Sequence, residues 1–482
     1  MNENYESLHK IDMNKVDIKH DPQLRFTPFV PYLPAAQPYV GGRLLMNSWG
    51  IATPVWYSGW RDETLSWHQT CSLSAVLNPT SATIIKGPDA KKFLKENFVN
   101  NVDNFPIGII KHGLLCLDNG LLATHGVLMH TAEDTYEAHW HAPYINYLFS
   151  KKNYNAELID ISLKQYIFQL QGPRCLEILE KVTGDDLHDI AYRHFRMSQI
   201  DGHAVRILRF GMAGTLGYEV HGEAEYAREH YKKILETGQS YGIRPIAWFS
   251  YNMNHIEGGF PQLYEHFVSA MSLNEDFVEY LKKTPYTGGN TYNTSTEGIE
   301  FLGSVGPDPH NYMYNPFELG LGRCINWNHE FPGKAALQKI KDTQDIDTVM
   351  LKWNVEDLCK IYASQFVPGE DYYKQMDLPA DSASVALFGH FLFSTDQVFD
   401  ENGNKLGRSY GRIYSHYYRA MLSFGALSAK GRELGKEVYI LWGEPGTKQM
   451  KVRATVERFP YNDHLVNDGF DVETIPHPVF DR

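Results

Sequence analysis

The sequence predicts an α+β protein in which a pseudo-duplicated mixed domain precedes a strand-rich one. Three observations carry that expectation. A strand–turn–helix unit occurs twice, as "IIKGPDAKKFL" (84–94) and "LQGPRCLEIL" (170–179). Strand-like and helix-like patterns mix from about residue 46 to 345. Beyond 346, runs such as "VFDENGNKLGRSYGRIYS" and "EVYILWGEPGTKQMKVRATVERFPY" read as strands and turns of a small β-barrel or sandwich.

In chain order, residues 1–45 form an expected N-terminal extension, polar at first and then Pro-rich in "FTPFVPYLPAAQPYVGG". Residues 46–345 form the mixed core. There "SATIIKG" followed by "PDAKKFLKENF" predicts a strand and a helix capped by Asp89. "GLLCLDNGLLATHGVLMH" predicts a hairpin about Asp118-Asn119-Gly120, because Asn-Gly tolerates the positive φ of a tight turn. "YIFQLQGPRCLEILEKVTG" repeats strand, Gly-Pro turn and amphipathic helix. "HAVRILRFGMAGTLGYEVHG" predicts two strands, and "EAEYAREHYKKILETGQSYG" a helix. "PIAWFSYNMNHIEGGFPQ" reads as a strand leaving its sheet, with Tyr251 at its end. Residues 346–482 form the C-terminal β domain.

Bulk properties narrow the function. A formal charge of −13 argues against nucleic-acid binding, whose footprint should be basic. The five cysteines are scattered singly without a CxxC pair, which fits a reducing compartment and gives no zinc or disulfide framework. The N-terminus lacks the apolar core of a signal peptide, and no apolar run approaches the ~18 residues of a membrane span. A cytoplasmic enzyme acting on a small molecule is expected. P-loop, GxGxxG and GxSxG motifs are missing, since "GMAGTLG" has the spacing GxxGxxG.

Candidate site residues come next. Glu219 is an acid on an otherwise apolar strand, which is expensive to bury unless it is hydrogen-bonded. Glycines 211, 214 and 217 beside it would let a flat ring approach the backbone. Such a carboxylate suits a ligand rich in N–H donors, such as a pterin or purine. His125, His130, His139 and His141 show no metal-ligand spacing, so no metal is expected. On a strand, His139 and His141 would share a face and line a cleft.

Together "LQGP" before a helix, "GMAGTLGYEVHG" and "YNPFELGLGRCINWNHEFPGKAAL" resemble the glycine-cleavage T-protein (aminomethyltransferase) family. Within it the chain is most similar to tetrahydrofolate-dependent O-demethylases of vanillate and 3-O-methylgallate. The similarity runs through "KIYASQF", "DLPADSAS" and "ILWGE", over roughly residues 46–460. The resemblance implies a pseudo-duplicated folate-binding core with a C-terminal β-barrel around a central channel. It implies tetrahydrofolate as cofactor and a methoxy-aromatic substrate whose methyl group passes to N5 of the folate.

By the same resemblance Glu219 accepts the pterin N–H groups, Gln169 is a second folate contact, and Phe260 stacks on the pterin where relatives carry Trp. Tyr251 lies beside the methoxy oxygen as proton donor. Three positions depart from the family. His141 stands where relatives carry a carboxylate-binding arginine, and His125 where most carry an acid. Thr53 replaces a tyrosine before a proline, with Tyr57 as its substitute. These departures imply a rebuilt substrate half, with His125 or His141 as a second proton carrier, since an imidazole can titrate near neutral pH, and a substrate that lacks the carboxylate or meets it through a weaker imidazolium contact. Alternative readings are a methyl-sulfonium or methyl-ammonium demethylase, with Trp56, Tyr57, Trp60 and Trp140 caging the cation, and a non-catalytic folate-binding protein.

Overall fold

The computed structural model describes residues 29–30, 37–40, 53–78, 80–162, 164–284, 299–381 and 391–480, so most of the expected extension 1–45 lies outside the described residues. Strands β1 (Gln37–Val40) and β2 (Thr53–Trp56) pair antiparallel and lead into helix α1 (Trp60–Gln69) and strand β3 (Cys71–Ser74).

The expected repeat then appears as two copies of one plan. The first copy runs β4 (Ala82–Lys86), α2 (Ala90–Asn97), the meander β5 (Ile110–Cys116), β6 (Leu122–Ala132) and β7 (Thr135–His139), then α3 (Tyr144–Ser150) and β8 (Glu157–Asp160). Its five-stranded sheet has the order β5-β6-β7-β4-β8. The second copy runs β9 (Gln165–Gln171), α4 (Cys175–Thr183), β10 (Phe195–Ile200), β11 (His203–Leu208), β12 (Gly217–Glu223), α5 (Ala227–Gly238) and β13 (Ile243–Ile246). Its six-stranded sheet has the order β10-β11-β12-β9-β3-β13, with β3 inserted between the copy's own strands.

Both strand-to-helix turns need glycine for the same reason. Gly87 and Gly172 have φ of 133° and 122°, and a Cβ on either would lie 2.7 Å from backbone atoms of Ala156 or Thr70. Asp89 does precede α2, but its carboxylate accepts the Asn155 N–H (2.8 Å) instead of capping the helix. The hairpin between β5 and β6 turns where the sequence places it, with Leu117 N–H donating to the Leu121 carbonyl (2.9 Å).

The two sheets meet face to face. Ile110 and Met129 of the first pack with Leu208 and Phe210 of the second. After β13 the chain enters α6 (Trp248–Glu257), all ten of whose residues are buried. Tyr251 therefore sits in the first turns of a buried helix rather than at a strand end.

The C-terminal sheet closes. Strands β14 (Ile299–Leu302), β15 (Ile346–Trp353), β16 (Phe391–Phe399), β17 (Lys405–Ser415), β18 (Ala420–Ser428), β19 (Glu437–Trp442) and β20 (Met450–Glu457) give the order β14-β16-β17-β18-β15-β20-β19. Pairs Val398↔Ile440 and Phe399↔Tyr439 join β16 back to β19, making a six-stranded barrel with β14 added outside. Of the two expected forms, barrel or sandwich, the barrel is the one present. Its interior holds Val349, Leu351, Trp353, Val398, Ile440, Trp442 and Val456.

The division at 346 is not a clean one. β14 joins the barrel from upstream, and the chain after β20 returns to the core. There Asn467 Nδ2 donates to the Gly217 carbonyl (3.0 Å) and Arg209 Nη2 to the Phe470 carbonyl (2.6 Å). All five cysteines are free, and no helix among the described residues is long and apolar enough to cross a membrane.

Candidate active site

Glu219 lies on β12, directly opposite Gln169 of β9 and Leu208 of β11. It is 5% exposed. Gln169 Nε2 donates to its Oε1 (2.8 Å), and His221 Nε2 lies 2.9 Å from its Oε2. A carboxylate has about four lone-pair positions, so about two remain uncommitted. Gln169 Oε1 is also buried without a partner. The site is thus rich in acceptors, and a donor-rich ring would satisfy them.

The neighbouring glycines serve packing and do not open a slot for a ring. Gly214 has φ of 75°, and a Cβ there would lie 2.8 Å from the Cα of Gly258, just past α6. Gly211 and Gly217 press against the Gln171 side chain, whose Oε1 accepts the Met212 N–H (3.0 Å) and Ala213 N–H (2.5 Å). The turn is clamped between β9 and α6, which fixes where β12 begins.

Phe260 follows α6, with its N–H on the His255 carbonyl (2.8 Å). Its ring is bordered by His112, His125 and His255 at centroid distances of 5.2, 5.4 and 5.7 Å. Burial pushes His125 and His255 down to about 4, and His112 well below the usual histidine range. The wall around Phe260 is therefore polar and uncharged at neutral pH. The expectation that His125 titrates near neutrality is corrected accordingly. Tyr251, buried on α6, donates its hydroxyl to Gln262 Oε1 (3.1 Å), with Met212 Sδ 3.4 Å away. Tyr251 and Phe260 join one apolar cluster with Leu77, Ile167, Met212 and Trp140.

His141 does not join this group. β7 ends at His139, and Trp140 takes a left-handed φ of 68°. That residue turns His141 to the other side, so the expected shared face of His139 and His141 is not formed. His141 Nδ1 lies 2.7 Å from Thr124 Oγ1, and Cβ atoms on Gly113 and Gly126 would lie 2.6 and 3.0 Å from its Nε2. Thr124 and Gly126 alternate with His125 along β6, so His125 and His141 occupy opposite faces of the sheet. Trp56 lies against Phe249 (5.3 Å), Trp60 against Tyr414 of the barrel (6.1 Å), and Trp140 in the Tyr251 cluster.

Sequence reasoning missed Glu63. Its Oε1 accepts the N–H groups of Tyr57 (2.5 Å) and Ser58 (3.2 Å), while its Oε2 accepts the Ala247 N–H (3.1 Å) and the Ser250 hydroxyl (2.6 Å). Burial raises its pKa against these donors. One carboxylate thus ties the segment bearing Tyr57 to the first turn of the helix bearing Tyr251. The available signal was its position four residues before Trp67, on the face of α1 that is buried.

Glu137, His139 and His221 bring ligand-type atoms within 4.8 Å of one another, as do Asp186, His188 and His477 near the C-terminus. In the first group Arg206 Nη1 already lies 3.0 Å from Glu137 Oε2, and His139 Nε2 lies 2.7 Å from Glu137 Oε1. Both oxygens of Glu137 are thus already committed to protein partners.

The GCVT N-terminal domain model matches residues 41–274. The chain is 38% identical over 446 residues to sesamin methylene transferase of Sinomonas sp., covering 92% of this chain and 97% of that one. It is 27% identical over 434 residues to syringate O-demethylase of Sphingobium sp., covering 85% and 90%. The crystal structure of glycine cleavage system aminomethyltransferase T from Bartonella henselae shares the fold, with a TM-score of 0.60 at 16% identity over 89% of this chain and 95% of that one. The chain belongs to the GCVT (aminomethyltransferase) family, and it is an enzyme of the group-transfer class.

Proposed function

We propose that this enzyme moves a one-carbon unit from the ether oxygen of a small aromatic compound to tetrahydrofolate. The observation that carries the reading is the dry acceptor set at Glu219 and Gln169, on the same inter-sheet surface that presents Phe260 and Tyr251. Bound folate would supply the nucleophilic nitrogen. Glu219 and Gln169 would hold its pterin N–H groups, a pairing that is charge-assisted at a carboxylate. Phe260 offers a flat face within an uncharged wall. Holding the nitrogen, the carbon and the leaving oxygen in line removes up to ~7–11 kcal/mol of barrier in the best cases.

Tyr251 is the proposed proton donor to the departing oxygen, worth roughly 10²–10⁴-fold. His125 acts as a neutral hydrogen-bonding partner, since an imidazole held at about 4 carries little charge at pH 7. Tyr57 borders the helix that bears Tyr251 through Glu63. His141 shapes the sheet from behind, so the role of substrate contact passes from it to the wall of His112, His125 and His255.

Two forms of the unit balance without an oxidant. In the methyl form, expected from the sequence, one O–CH₃ bond breaks and one C–N bond forms, and the proton released at that nitrogen ends on a phenol. In the methylene form, both C–O bonds of a methylenedioxy bridge break and two C–N bonds form, and two protons end on a catechol. The relative described as a methylene transferase, at 38% identity over nearly its whole length, favours the methylene form. The free cysteines support a cytoplasmic setting.

A panel of neutral and carboxylated methoxybenzenes and methylenedioxybenzenes, each incubated with enzyme and tetrahydrofolate, tests the proposal. Mass spectrometry of the folate product separates methyl from methylene transfer. Neutral methylenedioxy compounds should turn over fastest and carboxylated methoxy compounds slowest. Saturable folate binding without any folate product would favour the non-catalytic binding protein instead.

A further inference from the structure

The two halves of the core carry the same four-residue pattern, Tyr136-Glu137-Ala138-His139 on β7 and Tyr218-Glu219-Val220-His221 on β12. Both strands hold the same place in their copies, since β7 pairs with β4 and β12 with β9. The two patterns meet between the sheets, where the rings of His139 and His221 lie 5.5 Å apart. In each copy the histidine bonds the glutamate two residues before it, at 2.7 Å in the first and 2.9 Å in the second.

Their surroundings differ in a way that separates two roles. The residue opposite Glu137 is Ile84, and the one opposite Glu219 is Gln169. Arg206, the register neighbour of His221, reaches across to Glu137 Oε2 (3.0 Å), and Gln165 Nε2 donates to Glu137 Oε1 (3.2 Å). The first carboxylate is therefore saturated by protein donors. The second receives only neutral ones, Gln169 and His221. His221 Nδ1 is buried with no partner. A bare lone pair there is tolerated better than an orphaned N–H, which puts the ring proton on Nε2, facing Glu219.

We propose that His221 is the positioning residue for the folate-binding carboxylate: its Nε2–H fixes Glu219 Oε2, while Glu137 holds Arg206 away from Glu219. The proposal rests on the folate reading of Glu219. A cation on Glu219 would occupy the lone pairs a ligand must use. The first-half pattern serves as a decoy for that cation, and the second-half pattern remains open to ligand.

The test uses the full chain and tetrahydrofolate itself. His221→Phe keeps a ring and removes the donor, and should raise the Kd for tetrahydrofolate by about ten- to a hundredfold, the range of one charge-assisted hydrogen bond. His221→Gln, which retains an N–H donor, should restore most of the affinity. Nitrogen NMR of the unsubstituted protein should show His221 as the Nε2–H tautomer, a readout that does not depend on how the variants fold. Unchanged affinity in His221→Phe, or an Nδ1–H tautomer, overturns the positioning role while leaving the folate reading in place. No saturable tetrahydrofolate binding by the unsubstituted chain overturns both.

Discussion

Replacing Glu63 by alanine isolates the most connected carboxylate near the site. The substitution strands four donors, the N–H groups of Tyr57, Ser58 and Ala247 and the hydroxyl of Ser250. Ser58 is exposed and can turn to water, and the Ser250 hydroxyl can rotate. The buried N–H groups of Tyr57 and Ala247 cannot escape, and each orphaned buried donor costs about 1–3 kcal/mol. Part of that loss is offset by relieving a carboxylate whose burial already raises its pKa. The expected net loss is about 3 kcal/mol, which lowers a thermal midpoint by about 6 °C or more in a unit of ordinary domain size. Glu63→Gln keeps one accepting oxygen and should lose about half as much. Differential scanning calorimetry measures both, and turnover should fall with them because the segments of Tyr57 and Tyr251 come apart. A Glu63→Ala protein with unchanged midpoint and unchanged turnover would mean that Glu63 does not tie these two segments together.

Other outcomes follow from the same geometry. Glu219→Gln should weaken tetrahydrofolate binding by roughly 1.5–3 kcal/mol without changing the thermal midpoint much, as read by calorimetric titration; equal affinity would make Glu219 structural. Tyr251→Phe should lower kcat at least tenfold on an aryl ether with a smaller change in KM, because a proton donor acts in the transition state; an unchanged kcat removes it from the mechanism. The protein should lose stability as pH falls from 6.5 toward 4. His125 and His255 have folded pKa values lowered to about 4, so the stability they confer is full above 6.5 and is lost through that window. Denaturation midpoints that stay flat across it would contradict their buried, neutral state. His477 has the opposite sign, since its bonds to Asp186 and Glu473 raise its pKa to about 9. Its hold on the C-terminal segment should be full below 6.5 and lost as pH rises through 9, seen as faster proteolysis there, and a His477→Ala chain should show no such dependence.

Much of the fold was legible because the duplicated turn is written locally. Gly-Pro after an apolar strand and before an amphipathic helix specifies the same unit at 87 and 172. The insertion of β3 beside β9 was not legible, because register between distant segments leaves no local pattern. At the site, Glu219 stood out as an acid on an apolar strand. Its partner His221 lay two residues away in the same motif, on the same face by strand alternation. The twin motif at 136–139 is equally visible as a repeat of Tyr-Glu-x-His. His141 was misplaced because alternation was extended one residue too far, past Trp140, whose left-handed backbone no residue type announces. Glu63 was hidden because its four donors come from two segments that meet only in the folded chain.

The proposed function requires that an ether carbon leave oxygen for folate on this chain. The most direct measurement is carbon NMR of a methylenedioxybenzene labelled at the bridge carbon, incubated with enzyme and tetrahydrofolate. The label should move into the folate pool, with one catechol formed for each labelled carbon transferred and transfer slowed about ten- to a hundredfold in Glu219→Gln at limiting folate. Label that stays on the ether with every folate concentration, or that appears as free formaldehyde without entering folate, would contradict the account.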